Sequence, residues 1–119
     1  MKSDPKECLY CQNNETLHNL MIEIAQLSVS RVFLFKEQTY RGRCLVAYKD
    51  HVNDLNELSD EERNAFMADV VRVTRAIQNA FNPEKINYGA YSDKLSHLHF
   101  HLAPKYVDGS DYGGTFQMN

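Results

Sequence analysis

Three histidines alternate with apolar residues in His97-Leu98-His99-Phe100-His101-Leu102-Ala103-Pro104. Residues i, i+2 and i+4 of a strand share one face. A strand here therefore presents three imidazoles at roughly 7 Å spacing and sends Leu98, Phe100 and Leu102 into a core on the other side. Imidazole can be a nucleophile, acid, base or metal ligand near neutral pH. A solvated strand face would be served as well by Thr, Lys or Gln. Three of the chain's five histidines within five residues therefore point to chemistry. On these residues alone two arrangements compete: all three on one metal, or a central nucleophile supported by its neighbours.

Cys8-Leu9-Tyr10-Cys11 has the C-x2-C spacing that sets two thiolates around one tetrahedral zinc ion. Two further ligands are needed. His51 directly follows an expected strand, and His97 opens the triad. A Cys2His2 shell of Cys8, Cys11, His51 and His97 is closed and hence structural, with no open position for water. It leaves His99 and His101 free. Without metal, Cys8 and Cys11 are simply two thiols.

The elements that must position these groups follow from pattern. Residues 1–16 are polar and read as a loop or knuckle around the two cysteines. Residues 18–27 read as a short strand. Val32–Phe35 and Cys44–Tyr48 read as a hairpin, with Gly42 giving the turn its backbone freedom. Ser59-Asp60-Glu61-Glu62 is a capping box, and Phe66, Val70, Val73 and Ile77 follow at helical spacing. The helix should run from about Asp60 to Phe81 and stop before Asn82-Pro83. Ile86–Ala90 and Leu98–Ala103 read as strands, with Pro104 ending the pairing of the last. The glycine-rich tail, 108–119, reads as a covering loop. The expected fold is α+β: an antiparallel sheet of about five strands backed by one long helix, in a single domain spanning 1–119.

Composition bounds the rest. With 119 residues and a net charge of -3, the chain has no basic surplus for nucleic acid or an anionic membrane. A small phosphorylated ligand needs only local groups. The first ten residues carry no secretory signal, and no run approaches the length of a membrane span. Three cysteines are an odd count and a poor disulfide framework, so a reducing cytoplasm is the expected location.

His97 to Ala103 resembles the signature of the histidine-triad (HIT) superfamily of nucleotide hydrolases and transferases. Arg41-Gly42-Arg43-Cys44-Leu45-Val46, Lys49-Asp50-His51, the capped helix and Ile86-Asn87-Tyr88-Gly89 follow that family's order. The match covers about residues 8–107. The chain also resembles bacterial members that bind zinc through positions equivalent to Cys8, Cys11, His51 and His97. The resemblance implies that His99 attacks the α-phosphate of a nucleotidyl substrate and forms a nucleotidyl-histidine that water then hydrolyses. It implies that His101 donates to a non-bridging or leaving oxygen. A backbone carbonyl accepting from one nitrogen of His99 would keep the other bare. Dinucleoside polyphosphates, nucleoside phosphoramidates and adenylylated small molecules are the implied substrates. Asn87 matches a family asparagine near the phosphates. Glu37 and Gln38 fall where relatives offer an acid or amide to the ribose.

Asp93 stands where relatives usually carry a neutral amide, Ser92 where they have glycine and Ser96 where many have proline. These departures bear on phosphate binding and keep a nucleotide-binding module with little catalysis as the alternative. Phe33, Phe35 and Leu27 are candidates for a base pocket or for the core. A homodimer is implied by the resemblance only. The enzymatic reading requires the middle imidazole to be unmetallated and open to phosphorus.

Overall fold

A computed structural model describes residues 5–91, 93 and 96–118. Residues 1–4, Ser92 and Asn119, on which parts of the knuckle, the glycine departure and the tail fall, lie outside the described residues. The strands are β1 (Met21–Gln26), β2 (Ser30–Phe35), β3 (Cys44–Tyr48), β4 (Lys85–Gly89) and β5 (His99–Lys105). They form one antiparallel sheet in the order β1-β2-β3-β5-β4. The helices are α1 (Leu9–Gln12), α2 (Glu15–Leu20) and the long α3 (Asp60–Phe81). The expected class, a five-stranded antiparallel sheet with one long helix, is the one observed.

The sheet is buried on two faces, and strand alternation divides the residues between them. Val32, Cys44, Val46, Tyr48, Leu98 and Leu102 pack with Phe66, Val70, Val73 and Ile77 of α3. Phe33, Phe35, Leu45 and Ala47 face the other way and pack with Cys8, Tyr10 and Leu17 from the N-terminal segment. This double burial is why β3 reads as an unbroken apolar run, Cys-Leu-Val-Ala-Tyr, with every residue buried.

Helix α3 begins and ends where its sequence signals place it. Ser59 accepts from the Glu62 amide while the Glu62 carboxylate accepts from the Ser59 amide. Asn82 closes the helix in the left-handed region at φ 49°, just before Pro83. Asp69 interrupts the apolar face, and pattern gave no sign of its role. It is 1% exposed and accepts from the Ser28 hydroxyl, the Val29 amide and the Ser30 hydroxyl at 2.9, 3.0 and 2.7 Å. These bonds tie the β1–β2 turn to the helix.

Three expectations are corrected. The segment 1–16 is not all loop: α1 and the start of α2 lie in it, capped by the Cys8 thiol and the Asn14 amide oxygen. The expected strand over 18–27 begins only at Met21, because α2 continues through Leu20. Helices of 4 and 6 residues leave too few turns for an apolar period to show. Pro104 does not end β5, which pairs with β4 through Lys85↔Lys105. Pairing with β3 has already stopped at Leu102, so β5 is an edge on that side and a missing N–H is tolerated there.

Candidate functional site

The triad lies on the face opposite α3. In the register of β5, His99 stands opposite Ala47 on β3, and His101 stands between Leu45 on β3 and Gly89 on β4. Directly opposed residues share a face, so the Ala47 methyl and the side-chain-free Gly89 put little bulk beside the two imidazoles, and the Tyr10 and Phe116 rings occupy that space. His97 precedes the strand and turns toward the N-terminal segment.

Each of the three rings spends one nitrogen on a different group, and this fixes where its proton sits. His99 Nδ1 lies 2.6 Å from the His97 carbonyl oxygen. A carbonyl only accepts, so Nδ1 carries the proton and Nε2 is left with a lone pair. His97 Nε2 lies 2.7 Å from the Tyr48 carbonyl oxygen, so its Nδ1 is the bare atom. His101 Nδ1 lies 2.9 Å from Nη2 of Arg43. A guanidinium only donates, so the His101 proton is on Nε2. All three rings are held neutral. Burial lowers His97 to about 4, with the Tyr48 carbonyl opposing. Burial, then His99 and Arg43, lowers His101 to about 3. His99 is lowered by burial, and its bond to the His97 carbonyl opposes the shift.

The bare Nδ1 of His97 faces the two cysteines. It lies 3.2 Å from Cys8 Sγ and 3.5 Å from Cys11 Sγ, and His51 Nδ1 lies 3.3 Å from Cys11 Sγ. The four donor atoms of Cys8, Cys11, His51 and His97 lie within 4.8 Å of one another. A sulfur–nitrogen edge of a tetrahedral metal shell is about 3.6 Å, from metal–ligand bonds near 2.3 and 2.1 Å. The cluster is thus one that could hold a metal ion. The triad itself is not so arranged: Arg43 places a positive charge against His101, which disfavours a second cation there.

Access to the triad differs from the expectation. His99 is 3% and His101 5% exposed, so neither stands open. Tyr10, between the two cysteines, packs its ring 5.3 Å from His97 and 5.2 Å from His99. Phe116 of the tail lies 6.1 Å from His101, and Phe35 of β2 lies 6.4 Å from it. Among the described residues, the sealed polar side-chain atoms without a partner are Tyr10 Oη, Arg43 Nε and Ser96 Oγ.

The remaining predicted residues are dispersed around this centre. Asn87 is half-buried on β4, and Asp93 is exposed in the segment before the triad. Glu37 is exposed in the β2–β3 turn, where its carboxylate accepts from the amide and hydroxyl of Thr39, which hold it below the usual carboxylate range. The Gln38 amide is engaged within the same turn, donating to the Phe35 and Arg43 carbonyls and accepting from the Gly42 amide. Phe33 and Phe35 belong to the core on the triad side, whereas Leu27 packs on the α3 side, away from the triad. Tyr10, Arg43 and Phe116 were not anticipated. Arg43 was within reach of the pattern: Arg43, Leu45 and Ala47 alternate, so a register that places Ala47 beside His99 also places Arg43 on the triad face.

A model described as HIT domain matches residues 14–108. Adenosine 5'-monophosphoramidase hnt1 of Schizosaccharomyces pombe is 30% identical over 97 residues, covering 77% of this chain and 68% of that protein. Among solved structures, histidine triad protein blr8122 of Bradyrhizobium japonicum superposes with a TM-score of 0.80 at 20% identity, over 88% of this chain and 78% of that one. A zinc-bound histidine triad family protein of Mycobacterium smegmatis superposes with a TM-score of 0.73 at 20% identity, over 98% and 85%. The chain spans roughly two thirds of the length of the curated relatives it matches, 68% of one and 63% of another.

Proposed function

The chain belongs to the HIT domain family, and from that membership and the fixed protons of the triad we propose that it hydrolyses or transfers nucleotidyl groups at the α-phosphate. The substrate is a dinucleoside polyphosphate or a nucleoside phosphoramidate. Nε2 of His99 attacks phosphorus, and the bond from phosphorus to the leaving oxygen or nitrogen breaks. His101 donates its Nε2 hydrogen to oxygen or nitrogen as negative charge develops there. Water then attacks phosphorus and gives its proton back to His101 Nε2, while the phosphorus–nitrogen bond of the nucleotidyl-histidine breaks to release the nucleoside monophosphate and free His99 as the neutral ring. Splitting one displacement into two lowers each barrier.

The observation that carries this reading is the His99 Nδ1 bond to the His97 carbonyl at 2.6 Å. It fixes the hydrogen of the neutral ring on Nδ1, and burial, which lowers the ring's affinity for a second proton, supports a lone pair on Nε2. Asn87, with Glu37, Gln38 and Asp93 at greater remove, completes the proposed substrate contacts. Replacing His99 by Asn should abolish turnover of adenosine 5'-phosphoramidate and of a diadenosine polyphosphate while the melting temperature holds. Turnover unchanged in that variant would contradict the mechanism.

We take the metal of the Cys8-Cys11-His51-His97 cluster to be structural zinc, which suits two thiolates and two imidazoles. Bound there, it would cross-link the N-terminal segment to the segments around His51 and His97. It has no part in the chemical steps above. The dimer is proposed on the family resemblance, with the exposed Val71 of α3 as a candidate contact. No helix among the described residues is long and apolar enough to cross a membrane, and a cytoplasmic location remains part of the proposal.

One observation favours the alternative of a nucleotide-binding module with little catalysis: His99 is only 3% exposed. Calorimetry with adenosine monophosphate beside a substrate panel separates the two. Tight binding with no product from any substrate would select the module.

A further inference from the structure

Arg43 is the most deeply buried cation of the described residues. It is 0% exposed, and among those residues no carboxylate lies within ion-pair distance of it. A guanidinium in such a place is costly unless its donors are used. Nη1 donates to the Gln117 carbonyl at 2.8 Å, and Nη2 to the Met118 carbonyl at 2.9 Å. Nη2 also reaches His101 Nδ1 at 2.9 Å. The guanidinium carbon sits 4.5 Å from the Phe35 ring centre and 5.2 Å from that of Phe116. Two aromatic rings and two tail carbonyls therefore aim a fork of donors at one imidazole nitrogen.

We propose that Arg43, seated by the C-terminal tail, is a positioning residue that holds His101 neutral with its proton on Nε2. The inference deepens the proposed hydrolase reading and rests on it only for the meaning of that proton. A guanidinium has no lone pair to offer. Were His101 to carry a hydrogen on Nδ1, two N–H groups would meet head-on. Were the ring doubly protonated, two cations would touch. The one state left is the neutral ring with hydrogen on Nε2, able to donate to an oxygen that gains charge. The tail thereby becomes part of the site: its two carbonyls accept from the same guanidinium that reaches His101 Nδ1. The elements around His101 bring up Phe35 from β2, Gly89 from β4, His99 along β5 and Phe116 from the tail. Among the described residues, the titratable or charged groups that face it are Arg43 and His99.

The test reads the proton directly, by nitrogen-15 NMR of the histidine rings in the metal-loaded protein at pH 6. Wild type should show His101 as a single neutral tautomer with hydrogen on Nε2. Arg43→Met should show hydrogen on Nδ1, as the other tautomer or as imidazolium. Arg43→Gln, whose amide carries no charge and can accept as well as donate, is read in the same way if the first variant does not fold, and the same change is expected. In turnover of adenosine 5'-phosphoramidate, kcat should fall about 100-fold or more in the folded variant with KM little changed. An unchanged His101 pattern in a folded Arg43 variant would overturn the proposal. If no substrate is turned over by wild type, the hydrolase reading fails, while the NMR pattern still decides the role of Arg43.

Discussion

At the scale of the residue, the triad shows how three identical side chains acquire three tasks. Each ring loses one nitrogen to a fixed partner: the Tyr48 carbonyl for His97, the His97 carbonyl for His99 and the Arg43 guanidinium for His101. The nitrogen left over then faces the cysteines, or carries the proposed nucleophilic lone pair, or carries a hydrogen. His101 also links the site to acid stability. Its folded value is about 3, against about 6.5 in an unfolded chain. Between those values the unfolded chain takes up a proton that the folded chain refuses. Stability should therefore be full above pH 6.5 and fall as pH drops toward 3, by up to about 1.4 kcal/mol per pH unit. Urea melts of His101→Gln should show a shallower acid dependence than wild type; equal slopes would contradict the assignment. Alternation alone made the shared face of His99 and His101 legible in the sequence. Arg43 was not picked out, because an arginine in a hairpin turn usually stands in solvent and only the pairing register reveals its burial.

At the scale of the element, α3 was legible to the residue because its stop and start signals are local. Ser59 and Glu62 bond each other's backbone, and Asn82-Pro83 cannot continue the helix. Asp69 was not legible, since an acid within a helix normally marks the solvated face. Its value lies in three donors from a turn about 40 residues away in sequence. Asp69→Ala would leave the buried Ser30 hydroxyl and the half-buried Val29 amide without this partner. It should cost about 3 kcal/mol in chemical denaturation, and a loss under 1 kcal/mol would deny it this role. The short helices α1 and α2 were missed for the opposite reason: a segment of four to six residues has no period to read. Cys8 and Cys11, at the cap and within α1, meet His51 and His97. Binding energy at such a site is folding energy. A strong chelator should lower the melting temperature of wild type. Cys8→Ser should lose the metal and His101→Ala should keep it, by elemental analysis; the reverse pattern would place the metal on the triad.

At the scale of the whole molecule, one sheet separates two functions. Helix α3 and its apolar partners make the core on one face, while the N-terminal segment, the triad and the tail occupy the other. The tail closes this second face through Phe116 against Tyr40 and Ala103. Lys105 donates to the Asp111 and Gly114 carbonyls, and Gln117 donates to the Tyr40 hydroxyl. Gly89 permits the closure. A Cβ there would stand 2.6 Å from the Phe116 ring. Gly89→Ala should displace Phe116, lower stability by about 1–3 kcal/mol and raise proteolysis of the tail; an unaltered cleavage pattern would refute the packing argument. The tail's composition foretold a covering loop, but which groups it covers depends on contacts distant in sequence.

The account turns on phosphorus reaching one atom, and a crystal of the wild-type, metal-loaded protein soaked with adenosine monophosphate examines that most directly. The account predicts the phosphate seated on the triad face with phosphorus about 3–3.5 Å from Nε2 of His99 and an oxygen within hydrogen-bond reach of Nε2 of His101. A nucleotide bound elsewhere, with His99 Nε2 still closed in by Tyr10 and its neighbours or capped by a cation, would contradict it.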